Sequence, residues 1–143
     1  MKIMAVDFGD ARTGLAMCDK TEFLASPIGV IHEKRFEHAV EKVAAAAVEH
    51  KAEAVIVGLP LNMNGSEGSR AELCREFASK LPDYGVTAPI RMWDERQTTV
   101  SATGYLNQTD TRGKKRKEVI DAVAAVIILD SYLRWRKNHP GEF

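Results

Sequence analysis

At 143 residues the chain is long enough for one domain with a sizeable core and too short for two ordinary ones. Twenty basic and twenty acidic side chains cancel at neutral pH, so overall charge alone selects no polyanionic partner. Two cysteines without metal-ligand spacing, no apolar stretch near the roughly 20 residues that span a bilayer, and no basic-then-apolar start argue against a disulfide scaffold and a membrane protein. The expectation is a soluble, cytoplasmic protein with one domain over 1–143.

In chain order, Ile3-Met4-Ala5-Val6 runs into Asp7, breaks at Gly9 and resumes at Gly14 with Leu15-Ala16-Met17-Cys18, which predicts an opening hairpin. Alternation along a strand gives Asp7 the same face as Ile3 and Ala5. A third strand is expected over 23–31, and Pro27 and Gly29 assign it to an edge or a bulge. Phe36, Val40, Val43 and Ala47 recur at helical spacing and predict a helix from about 34 to 50. The continuous apolar run Ala54-Val55-Ile56-Val57 reads as a strand buried on both faces.

The turn-rich stretch from Gly58 to Gly68 comes next, at that strand's C-terminal end, where ligands bind in open α/β sheets. It carries no Gly-Lys-Ser or Gly-Lys-Thr, which excludes a Walker-type phosphate loop. Ser69 with Glu72 suggests a capping box for a helix carried by Leu73, Phe77 and Leu81. Pro89 to Trp93 reads as a fifth strand with Asp94 and Glu95 at its tip, and then a short helix over 97–106. From Asn107 to Lys117 nothing is apolar, so a mobile loop is expected there. The last helix, 118–137, has Asp121 as its only polar residue between Val119 and Leu129 and must be largely buried. The expected architecture is α/β: a five-stranded mixed sheet, its first three strands antiparallel and the rest parallel, flanked by helices.

Three carboxylates converge in that topology. Asp7 ends the first strand, Asp94 and Glu95 end a strand parallel to it, and the final helix would carry Asp121 across the same rim. Of the adjacent pair, Glu95 has the longer reach from a strand set back from the site, and Asp94 has an alternative as a turn or helix-entry residue. Close carboxylates repel unless cations sit among them, and ligation by oxygen alone suits Mg²⁺ or Mn²⁺. Two such ions about 4 Å apart serve phosphodiester hydrolysis. Arg12, Arg96 and Thr98 stand beside these acids in sequence as phosphate contacts, with a surface arginine and a helix cap as the plain readings of Arg12 and Thr98. The run Lys114-Lys115-Arg116-Lys117 could clamp a nucleic-acid backbone or simply be a solvated loop. Four histidines show no ligand spacing and are expected at the surface.

Asp7-Phe8-Gly9 with Arg12-Thr13-Gly14-Leu15-Ala16, the stretch Val57 to Gly65, Asp94-Glu95-Arg96-Gln97-Thr98-Thr99, and Asp121 in an Ala-rich final helix together resemble the YqgF/RuvX family. The resemblance runs from residue 3 to about 135 and implies a ribonuclease H-like fold related to Holliday-junction resolvases. It implies a nuclease to which processing of the 5′ end of precursor 16S ribosomal RNA is ascribed. Its acidic triad falls on Asp7, Glu95 and Asp121. Gln97 and Asn64 stand where the family often has leucine and aspartate; neither touches the triad. The alternatives are a branched-DNA endonuclease with the same chemistry, and a non-catalytic RNA-binding factor in ribosome assembly. An actin-like or sugar-kinase ATPase would share Asp-x-Gly but duplicates its domain, and this chain holds one copy.

Overall fold

In a computed structural model the described residues are 1–95 and 113–143, without the side chains of 113–121. Five strands are described, β1 (Ile3–Asp7), β2 (Arg12–Cys18), β3 (Ala25–His32), β4 (Ala54–Leu59) and β5 (Ile90–Asp94). They form one sheet in the order β3-β2-β1-β4-β5. β1 pairs antiparallel with β2 and parallel with β4, and β5 joins β4 in parallel. The mixed sheet expected from the sequence is therefore present. β3 is an edge strand, and its ladder slips opposite Leu15 and Ala16, where Gly29 and Pro27 are the successive partners. Both readings of that proline and glycine hold, since proline cannot donate to a central ladder and the extra residue makes a bulge.

Helices α1 (Phe36–Glu49) and α2 (Ser69–Lys80) cover one face of the sheet, and α3 (Gly113–Asn138) covers the other. The strand alternation sorts the core accordingly. Met4, Val6, Val55 and Val57 face α1 and α2, whereas Ile3, Ala5, Ala54 and Ile56 face α3 with Ala125, Ile128 and Tyr132. β4 is apolar throughout because both its faces are covered, and each of its valine, isoleucine and leucine side chains contributes about 1.5–3 kcal/mol on burial.

Two expectations are corrected at helix starts, and a third falls outside the described residues. α3 begins at Gly113 rather than Glu118, so Lys114 to Lys117 form its first turns and are not a loop. Lysine and arginine are good helix formers, and the buried apolar stretch behind them supports the extra turns. α2 has no capping box: Gly68 is the cap residue, its carbonyl accepts from the Glu72 N–H at 3.1 Å, and Ser69 is already helical. The short helix expected over 97–106, like the stretch from Asn107 to Arg112, lies outside the described residues. No helix among the described residues is long and apolar enough to cross a membrane.

Aromatic packing fixes the ends of two strands. Phe8, directly after Asp7, stacks on Phe77 at 4.3 Å and meets Phe36 edge-on at 5.8 Å, which locks the exit of β1 onto α1 and α2. Trp93 meets Tyr132 edge-on at 5.1 Å and donates its indole N–H to Ser131 Oγ at 3.2 Å, which ties the end of β5 to α3. At the opposite end of the molecule Glu22 joins Arg136 and the N-terminal ammonium, and these hold its carboxyl below the usual range.

Candidate active site at the C-terminal rim of the parallel strands

Asp7 closes β1 and, by alternation with Ile3 and Ala5, belongs to the face covered by α3. On one side its ladder partner is Gly14 of β2. On the other, the β1–β4 register continues from Val6 and Val57 to bring Gly58 level with it. The acid is thus flanked on both neighbouring strands by residues without side chains, which leaves a trough in the sheet surface around its carboxylate.

Glu95 fills part of that trough. Its N–H donates to the Leu59 carbonyl at 3.1 Å, extending the β4–β5 ladder one residue past the strand and returning its side chain to the α3 face. From there the carboxylate crosses over Gly58. A Cβ placed on Gly58 would stand 2.6 Å from Glu95 Oε1 and 2.7 Å from Cδ1 of Ile128, closer than a real Cβ approaches other atoms. Beyond the glycine Glu95 reaches Asp7, and the two carboxyls share a hydrogen bond. The longer side chain reaches inward from a strand not adjacent to β1, as its length led us to expect. The signal for Gly58 was in the sequence as well, since a glycine inside an apolar strand marks a close approach.

Burial pushes the Glu95 carboxyl up to about 8, with the charge of Asp7 and the shared hydrogen bond adding to the rise and Arg70 opposing it. In the unfolded chain the same group titrates near 4.5. Between these values the folded protein holds a proton that the unfolded chain has released, so folding stability falls as pH rises from about 4.5 to about 8. The metal-free protein is therefore expected to melt at a higher temperature at pH 5.5 than at pH 8, and Glu95→Gln is expected to flatten the difference. Equal slopes in the two proteins, measured by calorimetry in matched buffers, would contradict the assignment.

Arg70 was not singled out by its sequence context, which shows only a basic residue near a helix start. It reaches from the first turn of α2 to the turn after β1, donating to the Phe8 carbonyl and to Asp10 Oδ1, with its guanidinium 5.2 Å from the centroid of the Phe8 ring. It supplies a fixed positive charge beside the acidic pair and holds the backbone that carries Asp7. Cys74 lies buried nearby, and desolvation pushes its thiol up to about 11, so it is a packing residue rather than a nucleophile. The four histidines are exposed, as expected.

The remaining candidates divide plainly. Arg12 is the first residue of β2, two positions from the glycine opposite Asp7. Asp94 is the last residue of β5 and pairs with Leu59. Position 121 lies on α3 in the stripe of Ala125 and Ile128, about 10 Å along the helix from the isoleucine that meets Gly58, but its side chain lies outside the described residues. The side chains of Lys114, Lys115, Arg116 and Lys117, and Arg96 and Thr98 altogether, are also outside them. Among the described residues no group of three or more His, Cys, Asp or Glu is arranged to hold a metal ion.

A family model described as "RuvX: Holliday junction resolvase" matches residues 1–135. A protein of Halothermothrix orenii named "Putative pre-16S rRNA nuclease" is 42% identical over 141 residues, covering 99% of this chain and all of that one. A protein of the same name from Listeria monocytogenes is 41% identical over 135 residues, covering 93% of this chain and 97% of its own. Among solved structures, RuvC of T. thermophilus in complex with a Holliday junction substrate superposes with a TM-score of 0.59 at 15% identity, covering 94% and 96% of the two chains. The Fowlpox virus resolvase, in complex with Holliday junction DNA, does so with a TM-score of 0.60 at 14% identity, covering 94% and 98%. At such identities these two likenesses speak for the fold, which is ribonuclease H-like.

Proposed function

This chain belongs to the RuvX family, a family of resolvase-like nucleases, and from that premise we propose that it is a divalent-metal-dependent phosphodiesterase that trims the 5′ end of precursor 16S ribosomal RNA. The observation that carries the reading is the meeting of Asp7 and Glu95 over Gly58, two acids 88 positions apart in sequence sharing one half-buried hydrogen bond. Two carboxyls close enough to share a hydrogen bond form a set of oxygen donors, and that donor chemistry fits Mg²⁺ or Mn²⁺. Asp7, Glu95 and Asp121 would hold the metal. Once bound, such ions supply Lewis acidity at phosphorus and a water acidic enough to attack at neutral pH.

The chain's own groups provide the rest. Phe8, clamped between Phe77 and Phe36, fixes the backbone that carries Asp7, and Trp93 does the same for Glu95 from the other side. Gly58, having no side chain, lets the Glu95 carboxylate cross the sheet surface to Asp7. Arg12, Arg96, Thr98 and Lys114 to Lys117 would hold the substrate backbone. The last four add positive charge to the end of α3 whose dipole is already positive, and that first turn carries no acid.

Purified protein incubated with a 5′-extended 16S precursor fragment is expected to shorten it in millimolar Mg²⁺ and to leave it intact in excess EDTA. A four-way DNA junction added at the same salt is expected to compete weakly; charge-driven binding acts on both substrates alike, so a difference between them reports recognition beyond charge. Preferential cutting of the junction would replace the RNA reading with the branched-DNA one. RNA binding without turnover in either Mg²⁺ or Mn²⁺ would overturn the hydrolase and leave an assembly factor.

A further inference from the structure

We propose that the exposed ring of His139, at the end of a column of stacked aromatic side chains, is a base-stacking subsite for the single-stranded 5′ extension of an RNA whose backbone lies at Asp7 and Glu95. The proposal rests on the nuclease reading for its substrate class. Tyr132, Trp135 and His139 stand at positions i, i+3 and i+7, which brings them to one side of the end of α3. The rings of Tyr132 and Trp135 are within 22° of parallel with centroids 5.9 Å apart, and those of Trp135 and His139 within 17° at 4.4 Å. The column runs from inside to outside: Tyr132 is buried, Trp135 half-buried and His139 exposed.

Packing accounts for the inner members of the column and not for the outer one. Trp93 meets Tyr132 and Trp135 edge-on at 5.1 and 5.9 Å, and the Arg91 guanidinium lies 4.5 Å from the Trp135 centroid and 5.4 Å from that of Trp93. His139 adds nothing to the core, yet its ring is fixed. Its Nδ1 lies 2.7 Å from the Trp135 carbonyl, and because a carbonyl only accepts, that nitrogen carries the proton. The backbone is held as well: the His139 N–H donates to the Arg136 carbonyl, and the His139 carbonyl accepts from the Glu142 N–H, both at 3.1 Å. An oriented, exposed ring stacked by one face on Trp135 is a platform for one more flat group.

The surroundings select a nucleobase for that place. From Ser131 to Gly141 the chain carries three basic residues and no acid. Asp130 pairs with Arg134 and Glu22 with Arg136, so Arg91 is the cation beside the column, and contact with bases outweighs contact with phosphates. Trp93 ties the column to the rim, two residues before Glu95 and level with Gly58 on the face that α3 covers. The chain and ring spacings put His139 no more than about 25 Å from Glu95, a span of roughly seven stacked nucleotides. Aromatic platforms hold single strands of any sequence, since every base has a face to stack.

The test uses the full chain in EDTA, so that no strand is cut, and RNA stems whose single-stranded 5′ extensions grow from about two to about twelve nucleotides. Wild-type affinity is expected to step up about tenfold once the extension reaches the column, near seven nucleotides. His139→Ala is expected to melt like the wild type, to bind the short extensions equally well and to lose the step. At pH 8 its slope of affinity against salt is expected to stay the same, because a stacking contact releases no counterion. His139→Phe, which keeps a ring and carries no charge, is expected to restore the step. No step in the wild type, a step kept in His139→Ala or missing in His139→Phe, or a loss accompanied by a shallower salt slope would each overturn the subsite. So would a His139→Ala chain that melts well below the wild type, or one that changes its sedimentation and not its RNA affinity, since the ring would then serve the fold or a second copy. Cleavage in Mg²⁺ is scored separately. A protein that shows the step and never cuts overturns the nuclease and keeps the subsite, whereas one that cuts and shows no step does the reverse.

Discussion

Asp7→Asn is expected to lower cleavage of the precursor RNA by at least about 10³-fold, beyond the 10–100-fold that comes from disturbing a group merely behind a metal ligand. The amide has nearly the shape of the carboxylate, and Phe8 holds the surrounding backbone from the opposite face, so the fold is expected to survive. The substitution also removes the negative charge that raises Glu95. With that repulsion gone, the metal-free variant at pH 8 is expected to melt at or above the temperature of the wild type. Loss of activity with stability kept or gained separates a reacting group from a structural one. Cleavage within tenfold of wild type, or a variant that melts well below it, would place the chemistry elsewhere.

Gly58→Ala tests the route by which the second acid arrives. The added methyl would overlap Glu95 Oε1 and Ile128 Cδ1, both the far ends of side chains that can turn aside. The fold should therefore accept it at a cost of about 1–3 kcal/mol, the usual range for overpacking. Glu95 cannot turn aside and still reach Asp7. A displacement of about 1 Å in a catalytic group can lower a rate 10²-fold, and a loss of that order is expected, with a higher Mg²⁺ requirement. Because the shared hydrogen bond is also lost, the pH dependence of melting should become as flat as in Glu95→Gln. A variant with full activity and an unchanged pH profile would show that Glu95 reaches its place by another path.

Much of this arrangement was legible in the chain. Periodicity set out the five strands and the helices 36–49 and 69–80 within a few residues, because each element carries one strongly apolar face or two. Asp7 and Glu95 were found because charges at the ends of buried strands need partners, and the parallel topology dictates that those ends share a rim. Lys114 to Lys117 misled because a run of charge resembles a loop, while helix propensity and the buried stretch after it extend α3 through it. Ser69 misled because a glycine one residue earlier already serves as the cap. Arg70 could not be read at all: it matters through a contact across 62 positions, which leaves no periodic trace.

The position of β4 between β1 and β5 has a consequence for how the molecule comes into being. The first two strands can zip together as soon as they leave the ribosome, but the acidic pair exists only once a strand made about fifty residues later has slid in beside β1 and another has docked against it. Such distant pairings form late, because the chain entropy lost in closing them is regained only when they are complete. A partly synthesised or partly melted copy thus carries Asp7 without Glu95 beside it, and under the proposed function such a copy would hold no acidic pair with which to cut the RNA around it.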